Sequence, residues 1–345
     1  MNNDLNRILI ENAVRLSLRN FDCDDKRCLR KLIDTGIHLA GKGDKNHIFE
    51  NIGELFADEN SLYYPAVAKL LKNSDREKFI QFGINLGYNT FNKAATTIQQ
   101  NTRQYNKNIP WIADMDVTSA NSSGYSDATF GKLIDHYNKL GINAFILRFD
   151  AGIPEETYGN IISVIRRNQY TIFMFMLSDE ALSDSLLDML SPASNILVCL
   201  PLDGASTKEN TGKLSQKKIL SAMRYTVDSN YVEEILSEAS GSASGASEAS
   251  TDSSAAGTPS KGAGRSVLAR VAELDSPIVI FETAPTMTAD EVRHFNNGLP
   301  ALRKTPPQPV LMINLNYDIQ NINVMTSGKE ISTHITVRPA AQGLE

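Results

Sequence analysis

The feature that most constrains the fold is a regular alternation, after about residue 80, of short apolar runs with amphipathic stretches. Such alternation is typical of βα units, in which each strand of a parallel sheet is followed by a covering helix. Two amphipathic stretches fit helices, 126–140 and 155–168, and the second follows Pro154, as a helix start should. The predicted strands are Ile109–Asp116, Ala144–Phe149, Thr171–Leu177, Ile196–Leu200, Pro277–Phe281 and Val310–Leu315.

One of these runs, Ile172–Leu177, is apolar at every position, as expected for a strand that is buried on both faces. We therefore expect an α/β fold, either a partial or a full TIM-like (β/α) barrel. Toward the C-terminus, alternating stretches on either side of Ser327-Gly328-Lys329 predict a β-hairpin within residues 310–337.

Residues 1–80 predict an N-terminal helical segment, because apolar residues such as Leu5, Ile8 and Leu9 recur at steps of three and four. The dipeptide Tyr64-Pro65 predicts extended backbone before a helix at Ala66–Leu71. The apolar period changes near Phe79, and the alternating βα region is expected after that point.

The barrel is then expected in two parts, 81–237 and 267–345, and the second part includes the hairpin. Between them, residues 238–266 are rich in Gly, Ala and Ser and hold no aromatic residue. Such a segment buries too little apolar surface to offset the entropy lost on ordering, so we predict a disordered loop. A native loop and an engineered linker would have the same composition.

The charge balance argues against nucleic acid as a partner. There are 34 Lys+Arg against 40 Asp+Glu, a formal net charge of −6, and so no basic groove that would follow phosphates is expected. The apolar runs are strand-sized and far short of the roughly 20 residues that span a bilayer. The N-terminus also lacks the apolar core of a signal peptide. We expect a cytoplasmic protein that binds neither nucleic acid nor membrane.

The cysteines predict neither a disulfide framework nor a metal site, because Cys23, Cys28 and Cys199 are too few for either. Acidic neighbours of Cys23 and Cys28 favour a solvated helix start with one cysteine packed inward over a reactive pair. The five histidines show no metal-ligand spacing, and the sequence has no phosphate-binding loop and no G-x-S-x-G nucleophile elbow. No metal ligand is predicted from these motifs.

Polar side chains do follow the predicted strands, where the active sites of barrel enzymes lie. A pair such as Asp116 and Asp150 would suit a divalent metal or acid and base catalysis. The alternative is that these groups are helix caps and hairpin polar groups, which gather at strand ends in any such fold. The set is Asp114, Asp116, Thr118, Arg148, Asp150, Asp203, Glu282, Asn314, Asn316 and Asp318.

The segment Ile109–Ala120 (IPWIADMDVTSA) resembles the first barrel strand of radical S-adenosylmethionine (SAM) proteins that carry a C-terminal extension of the SPASM type. In that family "PW…D-x-TSA" leads into C-x-x-x-C-x-x-C, whose three cysteines bind a [4Fe–4S] cluster while SAM chelates the fourth iron. Here Asn121-Ser122-Ser123-Gly124-Tyr125 follows instead, without any of the three cysteines.

Later landmarks resemble the family in order and again lack its chemistry. The family's Gly-Gly-Glu-Pro motif, which holds the amino group of SAM, corresponds to Ala151-Gly152-Ile153-Pro154, with Ile153 in place of glutamate. Leu177-Ser178-Asp179 stands where the family has "TNG", and Pro201-Leu202-Asp203-Gly204 is similar to its "S-x-[DE]-G". The C-terminal segment resembles the start of the extension without its cluster cysteines.

The resemblance implies a radical-SAM-like protein that has lost its cluster and its catalysis and that acts as a binding or regulatory partner, for example of an active radical SAM paralogue. It implies no catalytic residue and no [4Fe–4S] cluster. A (β/α)-barrel enzyme with non-radical chemistry, and a protein that binds SAM or another small ligand without chemistry, stay as alternatives. The candidate ligand-binding residues are Asp116, Thr118, Arg148, Asp150, Gly152, Pro154, Asp203, Glu282, Asn314 and Asn316.

Overall fold

The computed structural model describes residues 5–18, 25–40, 56–106 except 59 and 62, 109–230, 232, 233, 235, 270, 273, 274, 278–302 and 311–314. The predicted disordered loop, 238–266, lies outside these residues. So does the predicted hairpin beyond residue 314, together with Asn316 and Asp318.

The N-terminal segment is helical, as predicted, but its helices continue well past residue 80. Their bounds are α1 Leu5–Leu18, α2 Asp25–Ala40, α3 Tyr63–Asn73, α4 Arg76–Ile84, a π-helix Asn85–Ala94 and α5 Ala95–Tyr105. The first strand, β1, begins at Ile112, three residues after the start of the predicted strand Ile109–Asp116. Polar residues such as Asn85 and Asn89 interrupt the apolar period without ending the helices.

The extended backbone expected at Tyr64-Pro65 is wrong, because α3 already begins at Tyr63. Proline is tolerated in the first helical turn, where its missing N–H has no partner to lose. The inward-packed cysteine is confirmed for Cys28, which is buried in α2.

The sheet has seven described strands, all parallel and hydrogen-bonded in chain order. It curls into a half-barrel, so the expected α/β, partial TIM-like architecture is confirmed at that level. The strands are β1 Ile112–Val117, β2 Ala144–Phe149, β3 Ile172–Met176, β4 Ile196–Pro201, β5 Ser221–Val227, β6 Ile278–Thr283 and β7 Leu311–Asn314.

Helices follow most of the strands and cover the outer face. They are α6 Asp127–Leu140 after β1, α7 Glu155–Arg167 after β2, α8 Asp184–Leu190 after β3, α9 Thr207–Gln216 after β4 and α10 Ala289–Leu302 after β6. A short 3₁₀ helix, Ser122–Tyr125, precedes α6. The Ser126 side chain caps α6, and the two glutamates that open α7 lie at the positive end of its dipole.

Successive strand residues point to opposite faces of the sheet, and two cores result. The outer core is aromatic: Phe145 stacks on Phe173 with ring centroids 5.3 Å apart, and Phe281 meets Phe295 of α10 at 5.6 Å. The inner core holds Ile146, Met174, Cys199 and Ile280, against which residues of the N-terminal helices pack. The N-terminal helices therefore close the lower part of the half-barrel and leave its upper, carboxyl-end layer to polar residues.

Strand β5 is absent from the sequence prediction. Its inward-facing positions are occupied by Ala222, Arg224 and Thr226, so the strand has no continuous apolar run. Apolar residues at its alternate positions, Met223, Tyr225 and Val227, do show the two-residue period of a strand.

Candidate functional site at the carboxyl ends of the strands

The inner face of the half-barrel carries a layer of charged side chains near the carboxyl ends of four strands. Asp114 belongs to β1, Arg148 to β2, Arg224 to β5 and Glu282 to β6. Asp114 and Glu282 are buried, whereas the two arginine side chains are 28% and 23% exposed. Two cations and two carboxylates thus share one partly dehydrated space.

Arg148 is the centre of this network. Its Nε donates to both Asp114 oxygens, at 2.9 and 3.0 Å, and its Nη2 donates to Asp114 Oδ2 at 2.9 Å. The same Nη2 donates to Glu282 Oε1 at 2.7 Å, which joins β2 to β6. Charge-assisted bonds in this two-pronged geometry are among the strongest that side chains form. They hold Arg148 in one orientation and tie non-adjacent strands together.

Arg224 completes the network from β5. Its Nη1 lies 3.5 Å from Glu282 Oε2, and its Nη2 donates to the Leu177 carbonyl at 3.3 Å. The buried Nε of Arg224 has no hydrogen-bond partner among the described residues. Its contacts are longer than those of Arg148, so Arg224 is the less firmly held cation.

Burial and neighbouring charges set the protonation of this layer. Burial alone would lower the pKa of the Arg148 guanidinium, but hydrogen bonds to Asp114 and Glu282 raise it above its ordinary value. Burial raises the pKa of the Cys199 thiol, and the Glu282 charge adds to the effect. Arg148 therefore stays charged, and Cys199 stays a protonated, apolar thiol beneath the charged layer.

The loop after β1 is closed by its own hydrogen bonds. The Asn121 side chain accepts from the Thr118 N–H at 2.8 Å and donates to the Asp116 carbonyl at 2.9 Å. Tyr125 is buried and also donates to that carbonyl, at 2.8 Å, and burial raises the pKa of its hydroxyl. An amide, hydroxyls and a phenol occupy this loop, and none of them is the thiolate that an iron–sulfur cluster needs.

The loop after β2 has the shape that its glycine and proline predict. Gly152 has φ of +73°, a left-handed conformation that favours glycine, and Pro154 precedes α7. The Gly152 N–H donates to both Glu180 oxygens at 3.1 Å. Ile153, the residue between Gly152 and Pro154, is buried in the outer core. Glu180, from the loop after β3, thus binds this turn.

Of the strand-end residues predicted from the sequence, the structure brings together Asp114, Arg148 and Glu282. Asp116 and Asp150 are exposed, and neither carboxylate has a hydrogen bond or ion pair with a described residue. Asp203 pairs with Arg270. Asn314 ends β7, where its Cα is in register with Phe281.

Asp114 and Arg224 are not among the candidate ligand-binding residues inferred from the sequence. Asp114 appears only in the broader set of strand-end polar residues. Arg224 is missed because β5 is missed. The pattern that would predict Arg224 is the alternation of apolar residues in β5. Arg224 lies between the apolar residues Met223 and Tyr225, so it points to the inner face of the sheet.

Within the described residues, no three or more His, Cys, Asp or Glu side chains are grouped as they would be around a metal ion. None of the helices that the structure describes has both the length and the apolar composition to cross a membrane. No model of a known protein family matches the chain, and no significant match is found among curated proteins or solved structures.

Proposed function

We propose that this chain is a cytoplasmic, radical-SAM-like protein that has lost its cluster and its catalysis and that serves as a binding or regulatory partner, for example of an active radical SAM protein. In this proposal the half-barrel continues into a C-terminal hairpin. The proposal rests on the sequence resemblance, and the parallel half-barrel supports it at the level of fold alone.

The structural observation that supports a loss of catalysis is the mutual pairing of charges in the strand-end layer. Asp114 and Glu282 are both hydrogen-bonded to Arg148, so these carboxylates are engaged in joining β1, β2 and β6. A general base must be free to reach a substrate proton, and both carboxylates are instead engaged by the Arg148 guanidinium. The layer therefore suits a structural role better than a catalytic one.

The loop after β1 gives separate support. The resemblance would require three thiolates between Thr118 and Tyr125, and that segment contains none. Instead, the side chains of Asn121 and Tyr125 form hydrogen bonds with the backbone of this loop. These residues do not fit a [4Fe–4S] cluster, so no step of a mechanism is routed through one.

The competing enzyme hypothesis would use Asp116 and Asp150, the two strand-end carboxylates that are exposed and unpaired among the described residues. That these carboxylates are exposed does not by itself favour catalysis. Catalytic acids and bases generally have pKa values that burial and neighbouring charges have shifted. This hypothesis predicts a metal-dependent or acid–base activity that Asp116→Asn abolishes.

The test is anaerobic reconstitution of the full chain with iron and sulfide, followed by iron and sulfide analysis and by assay for SAM cleavage under reducing conditions. An intact radical SAM enzyme treated in parallel shows that the procedure works. We expect substoichiometric iron and no 5′-deoxyadenosine. Four irons and four sulfides per chain, or SAM cleavage, would overturn the proposal. A calorimetric titration with SAM then separates loss of chemistry from loss of binding.

A further inference from the structure

A second site lies at the opposite end of the sheet, where the strands begin. It is a cleft of about 520 Å³ between α1, the π-helix and the loops that precede β2 and β3. That volume is within the range of roughly 300–1,000 Å³ in which small-molecule sites fall. Its lining residues are Arg7, Ile8, Asn89, Lys93, Asn138, Asn143, Arg167, Asn168, Gln169, Tyr170 and Thr171.

The charge of this lining is opposite in sign to that of the chain. Three lining residues are cationic and none is acidic, whereas the whole chain has a net charge of −6. Asp127 pairs with Arg167 and Glu11 pairs with Arg7 from outside the lining. Lys93 is exposed and adds a cation from the π-helix. Both arginines are thus paired with a carboxylate outside the lining, and an anion such as a phosphate group would meet cationic side chains on the cleft wall with no lining carboxylate to repel it.

The π-helix gives independent support for a ligand. A π-helix is rare, and where one interrupts an α-helical run it frequently marks a functional site. This one, Asn85–Ala94, brings both Asn89 and Lys93 to the cleft. Asn85, the first residue of the π-helix, is fully buried and donates to the Gln169 carbonyl at 2.6 Å. This bond holds the loop before β3 against the π-helix.

One buried side chain presents an unused acceptor. Asn89 is only 4% exposed, and its Nδ2 donates to Asn85 Oδ1 at 2.8 Å and to the Tyr170 carbonyl at 3.2 Å. Because both of these partners are acceptors, the amide orientation is defined. Asn89 Oδ1 receives no hydrogen bond from a described residue. It suits a hydroxyl donor of a ligand.

An aromatic wall completes the cleft. Tyr170 is 59% exposed, and the Arg7 guanidinium lies 4.4 Å from its ring centroid. The cation therefore occupies one side of the ring and leaves an exposed surface on which a planar group can stack. Aromatic side chains stack with nucleobases of any sequence, since every base has a π face.

We propose that this cleft binds a nucleoside monophosphate. Its base stacks on Tyr170, a sugar hydroxyl donates to Asn89 Oδ1, and its phosphate lies against Lys93 and Arg167. The site is independent of the proposed function, because it lies at the other end of the strands and involves no residue of the charged layer.

The test is isothermal titration calorimetry of the full chain with adenosine 5′-phosphate, adenosine, ribose 5-phosphate and inorganic phosphate. We expect adenosine 5′-phosphate to bind at least tenfold more tightly than each of the other three probes. Binding no tighter than inorganic phosphate would overturn the proposal, and so would the absence of heat at millimolar nucleotide.

Two variants with matched controls locate the site. We expect Tyr170→Ala and Lys93→Gln each to weaken adenosine 5′-phosphate binding about tenfold. Tyr105→Ala, which removes another exposed tyrosine, and Arg103→Gln, which removes an exposed cation on α5, should change binding by less than twofold. Both Tyr170 and Lys93 are exposed, so their substitution leaves the core intact. Unchanged binding in both site variants would overturn the assignment.

Discussion

Arg148 on β2 donates hydrogen bonds to Asp114 on β1 from two of its nitrogens, Nε and Nη2, and its Nη2 also donates to Glu282 on β6. One side chain therefore joins the first two strands to the sixth through the inside of the half-barrel. Among the described strands β1 and β6 are not hydrogen-bonded neighbours, so this link between them is made by side chains. The charged layer is thus part of the architecture of the half-barrel mouth.

Cys199 is expected to resist alkylation in the folded protein. Its side chain is fully buried, and burial with the nearby Glu282 charge raises its thiol pKa, so the reactive thiolate is scarce. Iodoacetamide labelling followed by peptide mass mapping should modify Cys199 only in denaturant. Raising the pH from 7 to 9 should not label it in the native state. Rapid native labelling would show that the inner core opens.

Gly141→Ala is expected to destabilise the protein by more than about 1 kcal/mol. Gly141 ends α6 with φ of +98°, and a Cβ there would lie 2.9 Å from the Ile98 nitrogen and 3.0 Å from the Ala94 carbonyl. The measurement is the free energy of unfolding in urea. Gly212→Ala in α9 is the matched control, because a Cβ there meets nothing within 4 Å and should stabilise by about 0.5–1 kcal/mol. Equal effects at the two positions would contradict this account.

Asp127 is expected to titrate below the ordinary range of an aspartate. Hydrogen bonds from Arg167 and with Ser163 lower the pKa of its carboxyl group. A lowered folded-state pKa means that the pair's stabilisation is present above the unfolded-state pKa and is lost as the pH falls through the folded-state pKa. NMR titration of the side-chain carboxyl measures this, and Arg167→Gln should move the pKa upward. An unchanged midpoint in that variant would show that the ion pair does not form in solution.

Much of the sheet can be predicted from the sequence, because parallel strands covered on both faces are continuously apolar. Ala144–Phe149 agrees with the observed β2 in full, and the other predicted strands differ by a few residues at their ends. The exception is β5, whose inner face holds a charged residue that only the network stabilises. The alternation of Met223, Tyr225 and Val227 does indicate a strand, but a search for continuously apolar runs passes over it.

The candidate site was predicted in part. Strand-end position identified Asp114, Arg148 and Glu282, because parallel strands end at a common edge. It did not show that Arg148 would neutralise Asp114 and Glu282, since the reach of a side chain across a curled sheet depends on tertiary geometry. The cleft at the opposite edge involves residues from α1, the π-helix and two loops, and no local pattern brings these together.

The most direct test of the structural role of the charged layer is the free energy of unfolding of Arg148→Met. Removing Arg148 leaves Asp114 and Glu282 buried without their cation, and breaking such a pair typically costs about 3 kcal/mol or more. Arg167→Met, which breaks the exposed bond to Asp127, is the control and should cost much less. We predict a loss of about 3 kcal/mol for Arg148→Met in urea unfolding. Unchanged or increased stability would contradict the account, because residues kept for activity often reduce stability while structural residues do not.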